Sequence, residues 1–414
     1  MSYAERLRAA LTESDRTLLT HVAEVAVRLS AVPYLVGGPV RDCLLGGTII
    51  DLDVAIEGEA IAVARQLARD LNGDFDPHDR FGTATVQLPT RSLDLAMTRT
   101  ETYVRPGALP EVTRGTLETD LIRRDFTINA LALRLDTDHF GELVDKHGGE
   151  HDLHARVLRV LHPQSFSDDP TRLFRAARFE QRFDFAIAPT TLQLIPAALP
   201  VIDALSGDRL RHEFELIFRE AQPIKALTRL NEWRVLRQID PALNVDDAIA
   251  VRFATQTGPL DSFTAWAWML VQLPMADLRR ITTRLNLLRD DARDLEALHN
   301  LWAAAEPIRR ATKRSEIYRR LERYPDRVLR TALTLIDDRA VCSNIELFRR
   351  ELHDVAPALN GSDLIVLGQA AGPALGRLLE KLREARLDGQ VQDRADEERY
   401  ARRIIARGND DDGA

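Results

Sequence analysis

The sequence predicts a mixed α/β head followed by an all-helical remainder. Short strand-like runs alternate with a helical stretch up to about residue 160. Beyond Pro170 apolar residues recur only at helical spacing, and Ala188-Pro189, Leu199-Pro200 and Asp240-Pro241 punctuate helices rather than strands. At 414 residues the chain is long enough for about two to four cores. It is 45% hydrophobic and 29% charged, the balance of an ordinary globular protein, and its 19 Pro and 21 Gly leave little for long flexible linkers.

The elements follow in order. Leu7, Leu11, Leu18, Leu19, Val22, Val25 and Leu29 keep helical spacing and predict one helix over residues 4–30. Tyr34-Leu35-Val36 reads as a strand, as do residues 50–56, 83–88 and 93–97, with a helix over about 59–71 between them. After Pro170 neither a strand nor an internal repeat is expected.

Composition excludes several classes. A net charge of −8 is incompatible with a uniformly basic nucleic-acid binder, although a local basic surface remains open. Two cysteines, Cys43 and Cys342, make neither a disulfide framework nor a cysteine zinc site. The first residues lack the apolar core of a signal peptide, and the longest apolar run, about Phe263 to Met275, is too short to span a bilayer. A cytoplasmic protein with reduced thiols and no membrane contact is expected. Only Lys146, Lys225, Lys313 and Lys381 are lysines; every other basic residue is arginine. The arginine fork suits phosphate, but arginine-rich coding explains the bias as well, so composition alone supports no RNA-binding claim.

The head holds the informative residues. Leu35-Val36-Gly37-Gly38-Pro39-Val40-Arg41-Asp42 reads as a strand entering a Gly-Gly turn and then a helix. Such a turn lets the backbone approach an anion, and Arg41 adds a charged fork; a tight packing turn is the competing reading. The segment is neither a Walker loop nor GxGxxG. In Asp51-Leu52-Asp53, strand alternation places both carboxylates on one side and Leu52 in the core. Parallel carboxylates repel unless a cation lies between them, and Mg2+ prefers such oxygen ligands while keeping sites open for phosphates. An exposed strand face is the plainer alternative. Asp94, in a second alternating strand, could add a third carboxylate or be a simple strand-edge residue. The stretch Asp120 to Ala130 carries a charged cluster into an apolar, helix-like run, a composition suited to a polar pocket wall.

These segments resemble the class II tRNA nucleotidyltransferase and poly(A) polymerase family. The resemblance rests on Gly37-Gly38-Pro39-Val40-Arg41-Asp42, Asp51-Leu52-Asp53, Arg123-Arg124-Asp125-Phe126-Thr127-Ile128-Asn129-Ala130, and Asp168-Asp169-Pro170-Thr171-Arg172 continuing to Phe179. It covers about residues 33–220 and extends more weakly to the C-terminus. It implies a polymerase-β-like head over 1–160 with its N-terminal helix, a nucleotide-selecting neck over 161–235, a helical body over 236–340 and an RNA-binding tail over 341–414. It also implies a metal-binding pair, Asp51 and Asp53, with Asp94 as a further catalytic carboxylate. Gly37, Gly38 and Arg41 fall at triphosphate contacts, and Arg123, Arg124, Asp125, Asn129, Arg175 and Arg178 at further nucleotide contacts. Asp168 stands where many members carry Glu.

Asp169 and Arg172 are spaced i,i+3 and share a helix face. Aspartate only accepts hydrogen bonds and arginine only donates them. Adenine and cytosine each pair an exocyclic amine with a ring-nitrogen acceptor, which this pair complements. Guanine and uracil would set like against like, at about 1–3 kcal/mol per buried unpaired group. The chain is therefore expected to add CCA to tRNA from CTP and ATP by two-metal nucleotidyl transfer with Mg2+. CC addition, A addition and poly(A) synthesis are sibling readings. The segment Arg99 to Val112 resembles the flexible loop that matters for the final A.

Elsewhere the signals divide. Arg209 and Glu213, at i,i+4, resemble a motif that braces the neck. Residues 309–350 carry a basic cluster with Tyr318 and Tyr324 interleaved, readable as an RNA surface or as a salt-bridged helix face. Gly372-Pro373 opens a helix whose amides could touch a phosphate, and Gly408 to Ala414 reads as a frayed end. His151-Asp152 and His353-Asp354 suggest a metal-dependent phosphohydrolase, but no complete ligand set assembles. A non-catalytic RNA-binding protein would have no reason to keep Asp51, Asp53, Asp169 and Arg172 together.

Overall fold

A computed structural model describes residues 1–89, 91–108, 110–256 and 258–411. The chain forms two units, Met1–Pro259 and Leu260–Ala414.

The first unit opens with α1 (Tyr3–Ala10) and α2 (Glu13–Arg28), where a single helix was expected. Thr12 breaks the run: it is extended and its side chain accepts the amide of Asp15, an N-cap that outweighs the continuous apolar spacing. Then follow β1 (Val32–Val36), α3 (Gly38–Leu44), β2 (Asp53–Glu57), α4 (Ala60–Leu71), β3 (Asp74–His78), β4 (Thr83–Gln87) and β5 (Ser92–Met97). A hairpin of β6 (Arg99–Thr102) and β7 (Glu111–Arg114) precedes α5 (Leu117–Ile122), β8 (Leu131–Arg134) and β9 (Leu143–Asp145). The mixed sheet has the order β3-β4-β5-β2-β1-β8-β9. β1 pairs antiparallel with both β2 and β8, while β2 and β5 run parallel with Asp53 opposite Asp94.

Alternation explains the packing. Tyr34 and Val36 of β1, with Ala55, Ala130 and Ala132, form a cluster against Leu117 and Leu121 of α5. Helix α4 buries Ala60, Val63, Ala64, Leu67 and Ala68 and lies against β4 and β5.

Two local expectations are corrected. The second strand begins at Asp53, so Asp51 lies in the bend before it, although Leu52 is buried and both aspartates are exposed as alternation requires. The apolar run after Asp125 is a single 3-10 turn, Thr127–Asn129, that feeds the buried strand β8. A short apolar run fits a buried strand as well as a helix, and only the sheet partner decides.

Next come α6 (Gly149–His154), β10 (Val157–Leu158), α7 (Ser165–Asp168), α8 (Thr171–Phe183) and β11 (Ala186–Ile187). β10 and β11 form a short parallel pair, a strand beyond Pro170 where none was expected. The unit continues through α9 (Pro189–Leu192), α10 (Ile195–Ala198), α11 (Gly207–Phe218) and α12 (Pro223–Glu232). Helix α8 is the hub, packing on α11 and α12. Phe179 meets Phe126 edge-on at 6.0 Å, and Phe174 meets Phe214 at 5.7 Å.

The second unit is helical throughout its described residues. The helix Ser262–Leu270 buries every residue from Phe263 onward. Arg327 lies 4.1 Å from the Phe263 ring centroid and is bonded to Asp291 and Asp294. Much of the 309–350 basic cluster is salt-bridged: Arg309 and Arg310 with Glu306, Arg314 with Glu351, Arg319 with Glu384, Arg330 and Arg349 with Asp326. Tyr324 is buried, and Tyr318 packs on Phe348 and Arg383, so neither ring is an open stacking platform. Pro373 does open a helix, Pro373–Leu387. The last helix runs to Asp411, so most of the expected frayed end is helical; Asp412, Gly413 and Ala414 lie outside the described residues. Among the described residues no helix is long and apolar enough to cross a membrane.

Gly149 starts α6 where Asp145 accepts its amide at 2.8 Å. A Cβ there would lie 2.2 Å from the Thr127 carbonyl oxygen and 2.9 Å from Leu131. Gly149→Ala should therefore cost at least about 1–3 kcal/mol by forcing the turn and β8 apart. A urea midpoint unchanged from that of the parent chain would show that the turn yields freely.

Candidate active site

The site begins where β1 ends. Gly37 has φ +72, and its amide donates to the Leu131 carbonyl. The backbone there requires glycine, and a Cβ on Gly37, 2.7 Å from Arg124 Nη1, would also displace that guanidinium. Helix α3 starts at Gly38 with Pro39 in its first turn.

Arg41, on α3, is buried. Its Nη1 donates to Asn129 Oδ1 at 2.7 Å, its Nε donates to Asp42 at 2.9 Å, and its guanidinium lies 4.5 Å from the Phe183 ring centroid. Asn129 in turn donates to Asp125 Oδ1 at 2.9 Å, and Arg175 Nε donates to Asp125 Oδ2 at 2.7 Å. Burial alone would raise the Asp125 carboxyl, but Arg175 and Asn129 outweigh it and hold it below the usual range. Asp120 is arranged alike: burial is outweighed by Arg124 at 3.0 Å and Arg123 at 2.7 Å, and its carboxyl is also depressed.

Asp169 ends α7, and Arg172 lies in the first turn of α8. Three donors converge on Asp169 Oδ1: the Thr171 amide at 3.1 Å, the Thr171 hydroxyl at 2.7 Å and Arg209 Nη2 at 2.6 Å. Arg172 donates to Ser165 Oγ at 2.6 Å and to the Arg123 carbonyl at 2.5 Å. Both side chains are thus fixed by neighbours. The bracing motif acts differently from its expectation. Arg209 reaches past its own helix to Asp169 and to the Gly107 carbonyl at 3.1 Å. Glu213 is buried near Arg175 and Arg178, and burial pushes its carboxyl up to about 7 despite them.

One cavity of about 560 Å³ gathers these groups. Gly37, Gly38, Arg41, Asp53, Arg123, Arg124, Asp125, Asn129, Asp169, Arg172, Arg175 and Arg178 all line it, so the structure brings together every expected residue except Asp51 and Asp94. Nine arginines share the lining with four carboxylates, a setting for a polyanion. Asp94 neighbours Asp53 in register and accepts the Thr85 hydroxyl at 2.6 Å. At Asp53 desolvation raises the carboxyl pKa, Arg124 opposes it, and the like charges of Asp51 and Asp94 add to the rise. That repulsion is what a cation relieves, and two carboxylates at an open edge suit a hard divalent ion completed by substrate oxygens. Among the described residues no three acidic, imidazole or thiol groups form a ready-made metal cage. The His-Asp pairs are otherwise engaged: Asp152 accepts from Thr127 and Arg159, and His353 bonds its neighbour Asp354.

The cavity also contains Glu101 and Tyr103, which sequence reasoning passed over. Glu101 Oε1 accepts from Arg99 at 2.8 Å and Arg123 at 3.0 Å, while Oε2 accepts the Tyr103 hydroxyl at 2.9 Å. The alternation of Arg99 and Glu101 on β6 could have placed both on one face. Their partner Arg123 lies too far along the chain to be read.

An acidic strand start set beside a Gly-Gly helix entry, under an arginine-lined cavity, is the plan that the motifs implied: a nucleotidyltransferase with a polymerase-β-like head. Comparison with known proteins narrows this. The model of the poly A polymerase head domain matches residues 33–159, and that of the probable RNA and SrmB-binding site of polymerase A matches 184–246. An A-adding tRNA nucleotidyltransferase of Halalkalibacterium halodurans is 32% identical across 95% of this chain and 94% of its own length. A CC-adding tRNA nucleotidyltransferase of Deinococcus radiodurans is 35% identical across 98% and 97%. An A-adding relative from Geobacter sulfurreducens is 34% identical over 94% of this chain, which spans only 47% of that protein's length. A solved CCA-adding enzyme in an apo form superposes with a TM-score of 0.81 at 29% identity, covering 97% of this chain and 98% of that one. This chain belongs to the tRNA nucleotidyltransferase and poly(A) polymerase family.

The depressed carboxyls predict an acid limb. Asp120 and Asp125 titrate below their unfolded range, so the unfolded chain takes up protons first as pH falls. Their stabilisation is complete above about pH 4 and disappears as pH falls through the folded-state values. Asp120→Asn should lower stability at pH 7 and flatten the acid side of the profile. An acid limb superimposable on that of the unaltered chain would refute the pairing.

Proposed function

We propose that this chain adds CCA to the 3′ end of tRNA from CTP and ATP, releasing pyrophosphate, with Mg2+ as its metal and the cytoplasm as its compartment. The observation that carries the reading is the fixed Asp169–Arg172 pair in an arginine-lined cavity with Asp53 at its edge. Asp169 Oδ2 accepts the exocyclic amine of adenine or cytosine, because the donors from Thr171 and Arg209 occupy Oδ1. Arg172 donates to the ring nitrogen beside that amine. Gly37 and Gly38 let the phosphates approach the start of α3, and Arg124 and Arg41 offset their charge. Asp51 and Asp53 would hold the divalent ion, which supplies activation of the primer hydroxyl and charge neutralisation at the phosphates. Asp94 supports Asp53 from the adjoining strand. No side-chain nucleophile is used. The helical remainder divides into neck (161–235), body (236–340) and RNA-binding tail (341–414).

The Arg99–Val112 segment supports incorporation of the final A, since the family resemblance ties such a loop to that step. Three A-adding relatives favour a second reading, in which the chain adds only the A to tRNA already ending in CC.

Primer extension separates these outcomes. A tRNA lacking CCA, offered CTP, ATP or both with Mg2+, should gain two C and one A. Incorporation of A only on tRNA ending in CC would establish the second reading. Absence of incorporation from every primer and nucleotide would refute both. Asp53→Ala should reduce incorporation by at least about 10³-fold.

Arg172→Lys keeps the charge and loses the fork. Preference for ATP and CTP over GTP and UTP should shrink by about 5- to 100-fold, with less effect on overall rate. Unaltered selectivity, measured as relative kcat/KM for the four nucleotides, would remove Arg172 from base selection.

A further inference from the structure

A second cavity, of about 260 Å³, lies between α8 and the start of α12. Arg178 and Arg182 line both this cavity and the larger one, so the two adjoin. Gln181, Gln222 and Lys225 add polar groups, and Glu220 is the one carboxylate in the lining. Arg178 is 6% exposed, and its Nε and Nη1 have no hydrogen-bond partner. Glu220 Oε1 lies 3.4 Å from Nε but is gripped by the Arg182 fork, and Glu213, buried nearby outside the lining, attracts the same guanidinium without a hydrogen bond to it. Lys225 has no ion-pair partner among the described residues. Gln222 caps the ten-residue α12 without a side-chain bond to its amides. A buried guanidinium with unused donors, a second arginine, a free ammonium and an open helix start favour an anion.

Size and position select which anion. The volume is below the usual range for a drug-sized ligand, too small for a second nucleotide. Arg172, at the base-selecting end, opens α8; Phe183, at its other end, carries Arg41 of the phosphate-binding turn 4.5 Å from its ring. The phosphates of a bound nucleotide would therefore point toward the half of α8 that carries Arg178 and Arg182.

We propose that this second cavity receives pyrophosphate as it leaves the reaction site, a product-holding subsite formed by Arg178, Arg182 and Lys225. The inference rests on the proposed nucleotidyl transfer, which releases that diphosphate.

Lys225→Gln tests it on the full chain, since Lys225 is exposed and its loss should not disturb folding. Inhibition of incorporation by added pyrophosphate should weaken by about 5- to 10-fold, the loss of one charge-assisted contact. The KM values for tRNA and nucleotide should stay within about twofold, and Lys225→Arg should restore inhibition. Calorimetric titration with pyrophosphate should show the same loss, with inorganic phosphate binding more weakly. An unchanged inhibition constant would overturn the proposal. So would a raised KM for tRNA at constant pyrophosphate inhibition, which would make the cavity a seat for an RNA phosphodiester. If the parent chain incorporates nothing, the reaction reading fails; calorimetric pyrophosphate binding that still depends on Lys225 would leave the anion site standing.

Discussion

The head and its neighbouring helices depend on one buried carboxylate. Asp125 is 7% exposed and joins three stretches far apart in sequence. It receives Arg175 from α8, Asn129 from the 3-10 turn and the amide of Phe126, and through Asn129 it reaches Arg41 of α3. An isolated charge at that depth would cost several kcal/mol, so each partner is needed to hold the others. The result is a fixed spacing between the Gly37-Gly38 turn at the start of α3 and helix α8. A fixed spacing of this kind is what catalysis by positioning would require.

The same logic sets the electrostatics. The chain is acidic overall, with net charge −8, yet the cavity of about 560 Å³ holds nine arginines among thirteen charged groups. Carboxylates in and behind the cavity wall do not cancel that field so much as aim it. Asp120 orients Arg123 and Arg124, Glu101 draws Arg99 and Arg123 together, and Asp169 is itself oriented by Arg209. In the second unit, by contrast, most cluster arginines meet exposed acids in pairs that are worth little individually.

Arg209 links two parts of the cavity wall. One guanidinium holds both Asp169 and the Gly107 carbonyl of the hairpin segment. Movement of that segment would be felt at Asp169 directly. The position of Asp169 and that of the hairpin segment are therefore coupled by hydrogen bonds within one unit.

Local sequence determined a good deal. The Gly37-Gly38 turn was legible because the left-handed backbone at Gly37 admits little else; β4 and β5 were legible because alternation marks a half-buried strand, and β1, buried at four consecutive residues, from its short apolar run before the glycines. The Asp169–Arg172 pair was legible from its residue types, but the expected shared helix face is not what joins it: Asp169 is extended and α8 opens only at Thr171, so Thr171, Arg209 and Ser165 set the geometry. What stayed hidden depended on partners distant in the chain. The strand identity of Leu131–Arg134 follows from its place beside β1, and Thr12 divides the first helix through a cap that apolar periodicity does not register. Arg209 reaches Asp169, forty positions back, and Glu101 reaches Arg123, twenty-two positions on. Spacing along the chain encodes which side chains share a face of one element; only tertiary packing decides which faces meet, because that choice is made by burial and charge pairing across the whole fold.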